Sequence, residues 1–237
     1  MTSGPAYAVS CARMPAQGRL VAIHRRSRTW FSLLAVLLLA ALQACSWLEV
    51  PTQPGAVLFQ DDFSRTSSGW DRYRDAVYRS DYQDGSFRFE VLAPDADAWA
   101  NPGLDFGDVR IEVDALKVEG PDDNRFGILC RYQDPLNFYF FLISSDGYVG
   151  IGLRKDGRAT LLSADTMLPR DAVLQGSVAN HLRADCFGSQ LRLYVNGISV
   201  AEAQASEWAR GDVGLLAGTG VQPGVVIDFD NFSVLQP

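Results

Sequence analysis

From Val57 to the C-terminus, no stretch of a dozen residues keeps a helical period of apolar positions. Short alternating runs recur instead. Phe87 to Val91 reads apolar, Arg, apolar, Glu, apolar. Arg110 to Val118 sets Ile111, Val113 and Ala115 against Arg110, Glu112 and Asp114, and Leu191 to Val195 alternates likewise. Successive side chains of an extended chain point to opposite faces, so each run predicts a strand with one face in a core. Asn137 to Ser144 (NFYFFLIS) is apolar on both faces and predicts a central, doubly covered strand.

The breaks between runs are as informative. Asp84-Gly85, Asp146-Gly147, Asp156-Gly157 and Asn196-Gly197 separate such runs. These pairs tolerate the two positive φ angles of a type I′ hairpin turn. Roughly a dozen strands with turn signals every 8–12 residues predict an all-β fold, two antiparallel sheets packed as a sandwich, over residues 57–237.

The first 44 residues follow another pattern. His24 to Arg28 (HRRSR) is basic, and Trp30 to Leu42 is an apolar run of 13 residues. At 1.5 Å per helical residue, that run is too short to cross a ~30 Å hydrocarbon layer comfortably. Leu42-Gln43-Ala44-Cys45 then has the form of a lipobox: an aliphatic residue at −3, a small one at −1, then cysteine. Residues 1–44 are expected to be a lipoprotein signal peptide, with Met14 as an alternative start. Cys45 is the expected lipidation site, and residues 45–56 a short, Pro-stiffened tether. The protein would be exported and lipid-anchored to the outer face of a bacterial membrane, at the cell surface. Ordinary secretory cleavage is the alternative.

All 28 acids follow Cys45, while five of the 21 basic residues precede it, so the exported part carries 16 − 28 = −12. A polyanion is a poor partner for that surface, and nucleic acid is excluded. Cys130 shares a strand face with Phe126, Ile128 and Tyr132, and Cys186 one with Leu182 and Ala184, so both thiols are expected on the core side. Two core thiols outside the cytoplasm predict a disulfide; two buried thiols that never meet is the other reading.

Several stretches together resemble the concanavalin A-like lectin/glucanase superfamily. They are LFQDDFSRTSSGW (Leu58–Trp70), FGILCRYQDPLNFYFFLIS (Phe126–Ser144), LRLYVNGISV (Leu191–Val200), GDVGLLAG (Gly211–Gly218) and IDFDNFSV (Ile227–Val234). The nearest branch is the 3-keto-disaccharide hydrolase-type domain, whose members include bacterial surface lipoproteins. The resemblance implies a jelly roll whose first strand, within Val57–Phe63, pairs near its last, Val225–Leu235. It leaves function open, because that fold serves lectins, glycosidases and other modules.

Glycosidases need two nearby carboxylates. Glu112-Val113-Asp114 resembles the first half of the Glu-x-Asp-x-x-Glu pattern of laminarinase-type glucanases. Ala115, Leu116 and Lys117 follow, so the third carboxylate is missing. No catalytic residue is assigned, and His181 reads as a surface residue. Carbohydrate binding needs aromatic platforms and hydrogen-bonding side chains. Trp99, Asn101, Arg131, Tyr139 and Tyr148 are the candidates, expected in one groove on a sheet face. No cofactor is assigned. The acid-rich turns Asp61-Asp62 and Asp122-Asp123-Asn124 leave calcium open. The expected partners are a carbohydrate and, through the anchor, a membrane. A cell-surface hydrolase and an envelope interaction domain are the alternatives, and no oligomeric state follows from the sequence.

Overall fold

The computed structural model describes residues 53–237. The expected signal peptide, Cys45 and most of the tether lie outside the described residues. Alternation becomes strand wherever it was read. The first seven strands are β1 (Val57–Asp61), β2 (Tyr73–Arg74), β3 (Tyr78–Gln83), β4 (Ser86–Val91), β5 (Asp97–Ala100), β6 (Val109–Glu119) and β7 (Asn124–Asp134). Five more are β8 (Asn137–Ile143), β9 (Tyr148–Lys155), β10 (Arg158–Leu161), β11 (Leu168–Pro169) and β12 (Asn180–Phe187). The last four are β13 (Gln190–Val195), β14 (Ile198–Gln204), β15 (Asp212–Thr219) and β16 (Val225–Leu235). The two-residue strands β2 and β11 are too short to leave a period in the sequence, which explains the lower expected count.

The strands form two antiparallel sheets. One runs β14-β13-β12-β6-β16-β4-β3-β2, with β1 against β16. The other runs β10-β9-β8-β7-β15-β5, with β11 against β9. The first strand thus pairs with the last, Asp61 opposite Phe232. Three of the four hairpin turns have positive φ at both central residues: Asp84-Gly85, Asp156-Gly157 and Asn196-Gly197. At Asp146-Gly147 only the glycine does, at φ 101°, so that turn departs from type I′.

Between the sheets, Phe87, Phe89, Ile111, Val113 and Phe229 meet Phe126, Ile128, Phe141 and Leu215, all essentially inaccessible to water. Cys130 on β7 and Cys186 on β12 form a disulfide that ties the two sheets together. It closes a separation of 56 residues, which in the chain-entropy description stabilises by about 4 kcal/mol. Below β1, buried Asp61 accepts the Trp70 indole N–H (3.0 Å) and the Phe63 amide (2.9 Å). This fixes the loop that leads into β2.

Candidate functional site

The seven-stranded sheet has a second apolar surface on the side away from the core. Strand register lays that outer face out in rows. Trp99 stands opposite Leu216, Leu216 opposite Gly127, Gly127 opposite Leu142, and Leu142 opposite Gly150. The next row runs Gly214, Leu129, Phe140, Gly152 and Leu161. Beyond it, Asp212 pairs with Tyr132, and Phe138 with Arg154. Large residues alternate with glycines, and the fit is close. A Cβ at Gly152 would stand 2.3 Å from the Phe140 ring.

β5 and β9 are four strand spacings apart, about 19 Å in a flat sheet. Yet the Arg154 guanidinium carbon lies 5.4 Å from the Trp99 ring centroid. Trp99 is also 5.6 Å from the Phe138 ring, and Tyr132 stacks on the same ring at 5.6 Å. Long side chains reaching toward one another close that distance, and the strip of outer face that they flank is called the trough. Leu129, Phe138, Phe140, Leu142 and Leu216 form its buried floor, overlain by half-buried Trp99, Tyr132, Leu161 and Met167.

At the β5 end, polar groups join this floor. Asn101, 3% exposed, lies over Gly214, where a Cβ would come within 2.5 Å of its amide nitrogen. Its Nδ2 donates to the Val213 carbonyl (2.6 Å), while its Oδ1 is buried with no partner among the described residues. Asp212 accepts the Gly103 amide (2.9 Å) and its neighbour's, Val213 (2.8 Å). The Asp71 amide donates to the Asn101 carbonyl (3.1 Å), which brings the Asp71 carboxylate to the same end.

Charge and burial act together here. Burial holds the Asp212 carboxyl above the usual carboxylate range, and the charge of Asp71 adds to the rise. Burial also raises the Tyr132 phenol, partly opposed by the Trp99 N–H and reinforced by Asp71, Asp134 and Asp212. Tyr78 is pushed up to about 12, first by burial, then by Tyr73, Asp75, Asp71 and Tyr132. Both phenols therefore stay neutral donors at neutral pH. Tyr73 stacks on Tyr78, centroids 4.6 Å apart, and extends the aromatic surface around the sheet edge. The cluster presents ring faces beside two carboxylates, Asp71 and Asp212, while Asn101 Oδ1 is buried beneath. Its complement is a ligand with an apolar face and several hydrogen-bond donors.

No family model and no curated protein matches the chain. Solved structures do. A carbohydrate-binding module, CBM66 from Bacillus subtilis, aligns with TM-score 0.56 and 18% identity over 71% of this chain and 96% of that one. A β-glucanase from Bacillus licheniformis aligns with TM-score 0.55 and 12% identity over 78% of this chain and 100% of its own. The fold is the concanavalin A-like jelly roll. A Bacteroides ovatus mixed-linkage-glucan GH16 protein, in complex with its G4G4G3G product, shares this jelly roll at TM-score 0.56 and 10% identity, over 76% of this chain and 100% of that one. At such identities the likeness is one of fold.

Trp99 stands on the outer face of the seven-stranded sheet opposite Leu216, and Asn101 lies over Gly214 in the next row. Arg131, Tyr139 and Tyr148 do not join them, so the expected groove of five is corrected. Arg131 sits at a bulge in β7 with φ +50° and is 2% exposed. The bulge turns it into the structure, where it donates to the Gly188 and Trp208 carbonyls (2.8 Å each) and to Asp108 (2.9 Å). Tyr139 pairs with Cys130 and shares its core face, fully buried, its hydroxyl accepting the Glu207 amide (2.8 Å). Tyr148 is 40% exposed at the start of β9, at the opposite end of that strand from Arg154, which is the β9 residue over Trp99.

Glu112 and Asp114 lie on the other sheet, on its outer face. His181, directly opposite Asp114, contacts that carboxylate through Nδ1 (2.8 Å), and Asn231 donates to its second oxygen (3.0 Å). The acid-rich turns serve the fold: Asp61 holds Trp70, Asp122 pairs with Lys117, and the Asn124 side-chain Oδ1 accepts the Ser145 amide. Among the described residues, no three His, Cys, Asp or Glu side chains cluster in a way that could hold a metal ion. Asp71, Tyr78 and Asp212 were not singled out from the sequence, and Tyr132, expected on the core face with Cys130, lies on the outer face instead. The odd count of residues at the Arg131 bulge, which moves Tyr132 to the outer face, leaves no local signal.

Proposed function

We propose that this chain is an exported, lipid-anchored module that binds a carbohydrate in the trough beside Trp99, without processing it. One observation carries the reading: the Trp99–Tyr132 aromatic surface stands beside the Asp71 and Asp212 carboxylates. A sugar ring offers the matching pair, an apolar C–H face and hydroxyl donors. Asp71 and Asp212 would accept the hydroxyls. Proteins of the same fold titled as a carbohydrate-binding module and as a glucan product complex support the ligand class. The signal pattern ending at Cys45 supports the anchor.

The test uses the full chain, purified in detergent, on a broad array of neutral glycans. Trp99→Ala is expected to weaken the captured glycan by at least roughly tenfold, as for a central aromatic contact. Tyr148→Ala should leave it unchanged. An array silent for the parent chain, or full binding by Trp99→Ala, overturns the reading. In the same preparations, Cys45→Ser should lose incorporated fatty acid and detergent-phase partitioning; retention of both refutes the anchor.

A further inference from the structure

The exported part of the chain is strongly acidic, yet four guanidinium groups converge on the outer face of the nine-stranded sheet. Directly opposed residues of antiparallel strands share a face. Arg74 on edge strand β2 faces Arg79 on β3, and Arg79 faces Glu90 on β4. In the neighbouring row, Asp81 faces Arg88 and Arg88 faces Asp228. Arg72 grips Asp81 with two hydrogen bonds (2.6 and 3.0 Å), and Arg88 grips Asp228 with two (2.6 Å each).

Those two forks are saturated; the other two are not. Arg79 gives one N–H to Glu90 (3.0 Å), and its Nε has no acceptor among the described residues. Arg74 makes no ion pair or side-chain hydrogen bond there. Like charges directly opposed across strands repel. Asp81 is near enough to attract Arg74 but makes no hydrogen bond to it. The arginines border an open cleft of about 400 Å³, within the size range of small-molecule sites. A planar guanidinium fork matches a carboxylate in two-pronged geometry.

We propose that this cleft binds the carboxylate of an acidic ligand such as a uronate, with Arg74 and Arg79 on the carboxylate. The site lies on the sheet opposite the trough and does not depend on it.

Isothermal titration of the full chain in detergent micelles tests this, with oligogalacturonate, an uncharged oligoglucan of equal length, and inorganic phosphate as separate titrants. Oligogalacturonate is expected to bind, and Arg74→Gln to weaken it roughly tenfold or more, since a charge-assisted hydrogen bond is lost. Arg65→Gln, an exposed arginine on another loop, should leave the affinity unchanged, as should Trp99→Ala. Raising the salt from low to high should weaken binding several-fold. Arg74 is exposed, so circular dichroism of Arg74→Gln should match the parent. The proposal is overturned by no uptake of oligogalacturonate, by equal affinity in Arg74→Gln, by phosphate binding as tightly as the oligosaccharide, or by loss of oligogalacturonate binding in Trp99→Ala. Failure of the trough reading shows separately, as a Trp99→Ala chain that still captures neutral glycan.

Discussion

Phe138 is where folding and binding meet in this sandwich. Its ring is 1% exposed on the outer face of the seven-stranded sheet, and it supports both Trp99 and Tyr132 at 5.6 Å. If the trough floor is a true second core, truncating Phe138 must cost what a core residue costs. Moving a phenyl group out of water accounts for about 1.5–3 kcal/mol. Each of the two ring pairs adds about 0.5–1.5 kcal/mol. Phe138→Ala should therefore destabilise by about 3–5 kcal/mol, the range seen for buried Phe→Ala changes. Phe138→Leu keeps the apolar bulk and loses the ring pairs, so about 1–3 kcal/mol is expected. Equilibrium urea unfolding, followed by circular dichroism and tryptophan fluorescence, measures both. The substitution should also loosen Trp99 and weaken the glycan bound beside it. A loss below about 1 kcal/mol in Phe138→Ala is the signature of an ordinary surface position. It would refute the second core and the rigid seat that it gives Trp99.

Asp212 carries a pH signature. Its folded carboxyl titrates above the usual carboxylate range, so the native state binds its proton more tightly than the unfolded chain does. The cost of ionising it is fully present above its folded pKa and disappears as pH falls to the ordinary value of 3.8. Asp212→Asn should remove this dependence from melting curves taken across the acid range. At neutral pH the variant should be at least as stable as the parent, yet bind glycan more weakly. A variant that keeps the parent's pH profile contradicts the assignment. Replacing Cys130 and Cys186 together by Ala should cost about 4 kcal/mol in urea unfolding, and reductant should reproduce that loss in the parent chain. Unchanged midpoints in both arms would show that the bridge contributes nothing.

The fold was legible because its signals are local. The period of two in Arg110–Val118 became β6, and NFYFFLIS became β8, a strand covered on both faces. Its outer cover is the trough floor, so the doubly apolar pattern already encoded the second core. The site was legible only in part. Trp99 and Asn101 stood out as an aromatic and an amide in a polar stretch. Arg131 and Tyr139 misled for a geometric reason. Counting by twos puts Arg131 on the outer face, but its positive φ breaks the count. Tyr139 falls on the core side because register sets it opposite Cys130. Asp71 and Asp212 are 141 positions apart and meet through backbone hydrogen bonds at Asn101 and Gly103. No local pattern announces such a pair.

The pairing of β1 with β16 continues past both strands: the Gly55 amide bonds to the Gln236 carbonyl, and the Gln236 amide to the Ala56 carbonyl. The sandwich therefore begins and ends at the same spot. Topologically it is almost a closed loop, held at its seam by hydrogen bonds where a covalent link would suffice. A short bridge between the two ends, with a new opening at the exposed Asn196-Gly197 hairpin, would trace the same sheets in a different chain order. In the natural order, whatever holds residue 53 holds the last strand too, because β1 is clasped along its length by β16.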